Sequence, residues 1–158
     1  MSAAEDSRQR AHFARMNARA DPLTAALIRE EFSRWLRKHF ALDAAKINDV
    51  VLAVNEALAN AAESAYATAD QPGAMHVLAE YDPAAAVLSV TVTDEGSWLT
   101  VDPQARDLAR GRGIPLMRAL ADRAVIDGSP TGTRVRLEWT GIDAVNTSPA
   151  HEFGSRTT

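Results

Sequence analysis

The spacing of the apolar residues changes once along this chain, and that change does most to limit the folds it can adopt. From Ile28 to Phe40, and again from Ile47 to Ala65, apolar residues recur every three or four positions, as on one face of a helix. Beyond Gly73 they alternate with polar residues, as in half-buried strands. Helices followed by strands predict an α+β fold, a two-layer sandwich with a helix layer over one sheet face.

The helix boundaries carry their own signals. Asp21 followed by Pro22 is a typical helix start, with Asp as the cap and Pro in the first helical position. The first helix is predicted to end near His39, and the second to run from Asp43 to about Ala67.

The later part of the chain alternates between strand and helix patterns. Four strands and one short helix are predicted, over Met75–Tyr81, Leu88–Val92, Ile114–Ala121 (the helix), Ala124–Asp127 and Thr133–Trp139. We therefore expect an N-terminal segment over 1–19 with a possible edge strand, one domain over 20–140, and a loose C-terminal tail over 141–158.

Composition narrows the function classes. The 158 residues carry 21 acidic and 17 basic side chains, a formal charge of −4, which weighs against a general nucleic-acid binder. There is no cysteine, and the four histidines are too far apart to form a helical ligand pair, so zinc is not expected. No apolar run reaches the length of a membrane span, and residues 1–10 lack the apolar stretch of a secretory signal. We expect a cytoplasmic domain.

Glu56 and Asn60 form the first candidate site. They are four residues apart in a helical pattern, so they project from one face. Glu56 lies about 200° around the helix from Leu58, outside the apolar stripe. Most such pairs are solvated surface, but the neighbours Ala57 and Ala59 are small and apolar, which is unusual for a charged outer face. A carboxylate and a carboxamide so placed can hold a water, a hydroxyl group and a hard cation.

Asp94 is the second candidate. It continues the register of Leu88, Val90 and Val92, so it is expected on the core side at the end of its strand. A carboxylate without partners is costly there, and this position implies a donor or a ligand. The alternative is a plain turn, since Asp94 and Gly96 both favour turns. A carboxylate here can accept a hydrogen bond from an exocyclic amine such as that of adenine.

Two glycine motifs follow. Gly111 and Gly113 precede the short helix, where backbone N–H groups can approach phosphate, although an ordinary helix entry explains them equally well. Gly132–Thr133 opens the last strand and is either a hairpin turn or a ligand contact. The chain has no G-x-x-x-x-G-K-[ST] motif, so a P-loop is excluded.

Four motifs therefore stand in a fixed order: Glu56…Asn60, Asp94-x-Gly96, Gly111-x-Gly113 and Gly132–Thr133. Over about residues 20–140 this order resembles the GHKL ATP-binding superfamily, with its histidine-kinase-like ATPase domains. The runs AVNEALANAAESAY and GRGIPLMRALAD look most like the branch of anti-sigma factor serine/threonine-protein kinases.

The resemblance implies the Bergerat fold, a two-layer α/β sandwich with a mixed, mainly antiparallel sheet and helices on one face. It implies ATP and Mg²⁺ as cofactors. It also implies a homodimeric enzyme that phosphorylates a serine of an anti-anti-sigma (STAS-domain) partner and sequesters a sigma factor. A non-catalytic ATP-binding regulatory module is the alternative. No direct nucleic-acid or membrane contact is implied.

The resemblance also assigns roles to residues of this chain. Glu56 matches the general base, and Asn60 matches the residue that coordinates Mg²⁺. The nucleotide would be held by the positions matching the adenine and phosphate motifs: Asp94, Gly96, Gly111, Arg112, Gly113 and Thr133.

The segment Ser97–Arg110 matches the ATP lid, and its length without a regular pattern is itself typical of a functional loop. Two positions depart from the family pattern. Trp98 stands where a glycine is frequent, and Ser64 stands where many members carry histidine.

Overall fold

The computed structural model describes residues 11–63, 73–95, 113–129 and 131–145. Within these ranges the elements are β1 (His12–Arg19), α1 (Pro22–His39), α2 (Ala44–Glu63), β2 (Ala74–Asp82), β3 (Val87–Asp94), α3 (113–120), β4 (Arg123–Ser129) and β5 (Gly132–Trp139). The predicted lid over 97–110, Gly96, Gly111, Arg112 and Ser64 lie outside the described residues.

The five strands form one sheet in the order β1-β2-β3-β5-β4. All four described pairings are antiparallel, so the expectation of a mixed sheet is corrected for this part of the chain. Connectivity explains two of these pairings: β2 and β3, like β4 and β5, are joined by short connections, which allow only antiparallel pairing. The two-layer α+β architecture itself is confirmed.

Both long helices start where the sequence predicts. The side chain of Asp21 accepts a hydrogen bond from the Thr24 N–H at 2.7 Å, and Asp43 accepts one from the Lys46 N–H at 2.8 Å. The bond from Thr24 is also the main reason that the pKa of Asp21 lies below its usual value. Helix α1 ends at His39, as predicted.

The core lies between the helices and one face of the sheet. Helix α1 buries Phe32 and Leu36, and α2 buries Val54 and Leu58. The strands contribute every second residue to the same layer, among them Met75, Val77, Leu88, Val90, Leu137 and Trp139. Burying a large apolar side chain stabilises a fold by about 1.5–3 kcal/mol, so this alternation fixes which face of each strand meets the helices.

Strand β1 is part of this sheet, although its sequence alternates poorly. It pairs with β2, and Phe13 is buried in the core. The pairing register shifts between Arg15 and Ala18, and Asn17 adopts a left-handed backbone with φ 55°. This bulge switches the face on which side chains emerge, which explains the irregular pattern.

Residues 141–145 are docked, which differs from the loose tail predicted from residue 141. Ile142 is 1% exposed, and its carbonyl accepts a hydrogen bond of 2.6 Å from the hydroxyl of Tyr81. The Val145 N–H donates to the His39 carbonyl at 2.9 Å. A single apolar residue has no period, so the sequence pattern contained no sign of this contact.

None of the helices in the described ranges has the length and apolar character that spanning a bilayer requires.

Candidate functional site

Helix α2 presents Glu56 and Asn60 on a different side from the residue that contacts α1. The contact with α1 is made by Asn55, which Arg29 reaches at 3.5 Å. At about 100° per residue, Glu56 and Asn60 lie roughly 100–140° around the helix from Asn55. Both side chains are partly buried. They are therefore neither core residues nor a freely solvated surface pair.

The start of α3 lies directly against this pair. A Cβ atom placed on Gly113 would be 3.1 Å from Asn60 Nδ2, 3.4 Å from Asn60 Oδ1 and 3.5 Å from Glu56 Oε2. Gly113 itself is buried. Because it has no side chain, its backbone approaches the carboxamide and the carboxylate together. The structure thus brings together three residues that the sequence predicted separately.

The second half of the site lies at one end of the sheet. Asp94 and Thr133 are direct partners across the antiparallel pair β3–β5. They are 9% and 6% exposed, on the face that the helices cover. The core-side position predicted for Asp94 is confirmed. Helix α2, which carries Glu56 and Asn60, packs over both of these strands.

Gly132 allows this strand end to form. A Cβ atom at Gly132 would overlap the carbonyl oxygen of Asp94 and would lie 3.3 Å from the Cα of Glu95. The close approach is between two backbones, so no side-chain rotation can relieve it. Any other residue would push the two strands apart next to Asp94 and Thr133.

The hydroxyl of Thr133 has no hydrogen-bond partner among the described residues, although its oxygen is fully buried. A buried polar group left unpaired costs about 1–3 kcal/mol. Natural folds pair nearly all such groups with the protein, with water or with a bound ion or ligand, so this exception marks the strand end as a candidate site. This observation supports a ligand contact at Gly132–Thr133 beyond a simple hairpin turn.

A polar contact beside the site was not predicted from the sequence. His76 Nδ1 accepts a hydrogen bond of 3.0 Å from the N–H of Asn17, and its Nε2 lies 3.6 Å from Glu95. The acceptor role of Nδ1 assigns the ring proton to Nε2, facing the carboxylate. His76 therefore links the bulge of β1 to the residue after Asp94. The three partners are distant in sequence, so no local signal reveals them.

Comparison with known proteins identifies the family to which the chain belongs. The family model described as "Histidine kinase-like ATPase domain" matches residues 18–139. The match spans most of the chain, and the chain belongs to this family of ATPase domains. Membership implies ATP binding.

One similar solved structure is that of the RsbU and RsbW domains of Rv1364c from Mycobacterium tuberculosis. It superposes with a TM-score of 0.64 at 24% sequence identity, over 87% of this chain. This chain spans 33% of the length of that chain, and the likeness concerns the fold. No curated protein matches the sequence.

Proposed function

We propose that this chain is an ATP-dependent protein kinase that phosphorylates a serine of an anti-anti-sigma (STAS-domain) partner and sequesters a sigma factor. The observation that carries the proposal is the close approach of Gly113 to both Glu56 and Asn60. It supports the proposal because a glycine that phosphate can approach, a carboxylate that can accept a proton and a carboxamide that can bind a metal lie side by side.

The strand end supplies groups that suit adenine. The Asp94 carboxylate can accept a hydrogen bond from the exocyclic amine of the base. The unpaired hydroxyl of Thr133 lies on the neighbouring strand, where it can bond to the base or to a water bound beside it. Gly132 allows these two residues to lie side by side, since only glycine fits against the Asp94 carbonyl at this position.

The residues present also suit Mg²⁺ bound together with the nucleotide. No group of three or more His, Cys, Asp or Glu in the described ranges is arranged to hold a metal by itself. Mg²⁺ in nucleotide sites is held mainly by phosphate oxygens and waters, with one or two protein oxygens. We assign the side-chain oxygen of Asn60 to this role. The ion would neutralise charge on the phosphates during transfer.

Glu56 is the proposed general base. It lies one helical turn from Asn60, on the same side of α2 and against Gly113. In the proposed reaction the serine oxygen of the partner bonds to the γ-phosphorus and the bond to the ADP oxygen breaks. The Glu56 carboxylate accepts the serine proton as this occurs. Binding of ATP does not require that proton transfer, so the roles of Glu56 and Asn60 are separable.

The decisive experiment uses Glu56→Gln, which keeps the shape of the side chain and removes the base. We expect phosphoryl transfer to a STAS-domain partner to fall about 100-fold or more, the usual contribution of a positioned base, with ATP affinity unchanged. Glu63→Gln is the matched control, because Glu63 is an exposed carboxylate on the same helix. Transfer at the wild-type rate in Glu56→Gln contradicts the assignment.

A non-catalytic regulatory module makes a different prediction in the same assay. Wild-type protein would then bind ATP and a partner, but radiolabel from the γ-phosphate would not appear on any STAS-domain protein. A pull-down with and without ATP–Mg²⁺, followed by phosphosite mapping, identifies the partner. Sedimentation of the purified chain tests the proposed homodimer.

The adenine assignment is tested by Asp94→Asn. We expect ATP affinity to fall about tenfold or more in calorimetry, because a bond to a charged acceptor is worth about 1.5–3 kcal/mol. Asp127→Asn, an exposed carboxylate on β4, is the control and is expected to bind ATP like the wild type. Equal affinities in the two variants would contradict the role of Asp94.

A further inference from the structure

A second recessed surface lies far along the sheet from the candidate nucleotide site, between the edge strand β1 and helix α1. This groove has a volume of about 410 Å³. Its apolar part is formed by Phe13 of β1 and Trp35 of α1, whose ring centroids are 5.9 Å apart. Its charged part is formed by Arg15, Arg34 and Lys38, with Glu31 as the single carboxylate. We call it the β1–α1 groove.

One of the three cations is already neutralised within the fold. Arg15 donates two hydrogen bonds to Glu31, at 3.1 and 3.0 Å. A further bond of 2.7 Å runs from its Nη1 to the carbonyl of Ala14. Arg15 and Glu31 therefore form a closed, neutral pair that stiffens the wall of the groove.

The other two cations are available to a ligand. Arg34 and Lys38 are one helical turn apart on α1, and both are exposed. Neither has a carboxylate within 4 Å in the described parts of the chain. The hydrogen bonds from Arg15 lower the pKa of the Glu31 carboxyl, and Arg34, which is attracted to Glu31 at longer range, helps to lower it. Because Arg15 holds both oxygens of Glu31, Arg34 and Lys38 keep hydrogen-bond donors for an added anion. This local excess of positive charge stands out because the chain as a whole carries −4.

The backbone at the groove is also open for pairing. Strand β1 is at the end of the described sheet, and the carbonyl of Ala11 points to β2, where it accepts a bond of 3.1 Å from the Tyr81 N–H. Backbone groups of an antiparallel strand alternate in direction, so those of His12 and Ala14 point away from β2, to the side where the described part of the chain has no further strand. Arg15 donates a hydrogen bond to the Ala14 carbonyl. The N–H and C=O groups of His12 and the N–H of Ala14 therefore remain for pairing with another chain.

We infer that the β1–α1 groove binds an extended acidic segment of a partner protein, which pairs with the free edge of β1 and sets carboxylates against Arg34 and Lys38. An edge strand that offers N–H and C=O groups is a template for another extended chain. A nucleic acid would use the two cations but not the open backbone groups, and it would meet Glu31. The groove therefore suits a peptide better than a polyphosphate.

The test measures fluorescence anisotropy of a labelled eight-residue peptide of alternating Glu and Val, at low ionic strength. We expect the variant Arg34→Glu/Lys38→Glu to bind this peptide at least about tenfold more weakly than the wild type, since two attractive contacts become repulsive. The control is Arg118→Glu/Arg123→Glu, which changes the net charge equally at exposed positions away from the groove. It is expected to bind within about twofold of the wild type.

Three results would overturn the inference. Equal weakening in both double variants would mean that only net charge matters. Equal binding of the same peptide with every backbone nitrogen methylated would rule out pairing with the β1 edge. Tighter binding of a single-stranded oligonucleotide than of the peptide, lost in the Arg34/Lys38 variant, would assign the groove to nucleic acid. ATP binding is expected to be the same in all these variants, so the result is independent of the proposed kinase function.

Discussion

The two ends of one sheet face differ in whether their buried polar groups are hydrogen-bonded within the described chain. Along the core side, β3 runs from Leu88 to Asp94, and its partner β5 runs in the opposite direction from Trp139 to Thr133. At the first end Leu88 and Trp139 are fully buried beside Tyr81, and we call this the closed end. At the second end Asp94 and Thr133 occupy the same layer, and we call this the polar end.

At the closed end the buried polar atoms are paired. The indole N–H of Trp139 donates to the carbonyl of Leu120 at 2.9 Å, and the Tyr81 hydroxyl donates to the carbonyl of Ile142 at 2.6 Å. Burial raises the pKa of the Tyr81 phenol, and the nearby charge of Asp143 adds to this effect. The closed end thus satisfies the rules that make a stable core.

At the polar end one rule is broken and one glycine is required. The Thr133 hydroxyl is buried and has no partner among the described residues, and the backbone at Gly132 lies too close to that of Asp94 for a side chain. A Cβ atom at Gly113 would be only 3.1 Å from Asn60, so a side chain there requires Asn60 to shift. Departures from local rules concentrate at functional sites, because the fold retains them for a ligand and not for its own stability. The same sheet face is therefore apolar with paired polar atoms at one end, and carries the residues of the proposed nucleotide site at the other.

The largest loss of stability is expected for Gly132→Ala, at the polar end. The new methyl group would overlap the backbone carbonyl of Asp94, so the strand pair must shift, at a cost of about 3 kcal/mol. Urea unfolding measures the loss. Gly141→Ala is the control: its φ is also positive, at 64°, but its Cβ would meet nothing within 4 Å. It is expected to cost about 1 kcal/mol, and equal losses would show that contact with Asp94 is unimportant.

The closed end is tested by Trp139→Phe. This variant leaves the Leu120 carbonyl buried without its donor, and we expect the free energy of unfolding to fall by about 2 kcal/mol. Trp35→Phe removes the same atoms from a tryptophan whose indole N–H makes no hydrogen bond to a described residue. Its loss is expected to be about 1 kcal/mol smaller. Identical losses would mean that the bond to Leu120 contributes nothing.

Thr133→Val tests the polar end, and unlike the preceding variants it is expected to stabilise the protein. Removing an unpaired buried hydroxyl is expected to raise the free energy of unfolding of the nucleotide-free protein by about 1 kcal/mol. Under the proposed function it also weakens ATP binding, so stability and binding move in opposite directions. Thr91→Val, on the outer face of β3, is expected to change neither. A destabilised Thr133→Val protein would show that the hydroxyl has a partner in the fold.

The smallest expected effect is the pH response of His39, beside the closed end. Burial, and secondarily the charge of Lys38, lowers the pKa of its imidazole below the usual 6.5. The unfolded chain therefore takes up the proton first, and the stability from neutral His39 is lost as the pH falls from 6.5 through the lower folded value. NMR titration of the ring is expected to show this pKa, with a small rise in Lys38→Gln. An unchanged value in that variant would leave burial as the sole cause.

The sequence predicted the local structure well, because each signal acts over a few residues. The caps at Asp21 and Asp43, the apolar stripes of the helices and the core register of Asp94 are all consequences of one period or one side chain. The resemblance to histidine-kinase-like ATPase domains depends on the order of the motifs, and the family match over residues 18–139 confirmed it.

Other features required the folded chain. The antiparallel order of the described strands, the docking of Ile142 and the bond from Asn17 to His76 join segments that are far apart in sequence. The bulge in β1 breaks the very period by which a strand is recognised. Chain connectivity and packing decide such contacts, and no short window of sequence contains them.

The sequence by itself therefore determined which residues are available for chemistry, and on which face of each helix or strand they lie. Tertiary structure alone decided that Gly113 lies against Glu56 and Asn60 and that Thr133 is the cross-strand neighbour of Asp94. It also decided that the Thr133 hydroxyl finds no hydrogen-bond partner among the described residues, and that β1 is the last strand of the described sheet, beside two cations. The physical reason is range: hydrophobic period and capping act within a few residues, whereas backbone approach and burial depend on the packing of the whole domain.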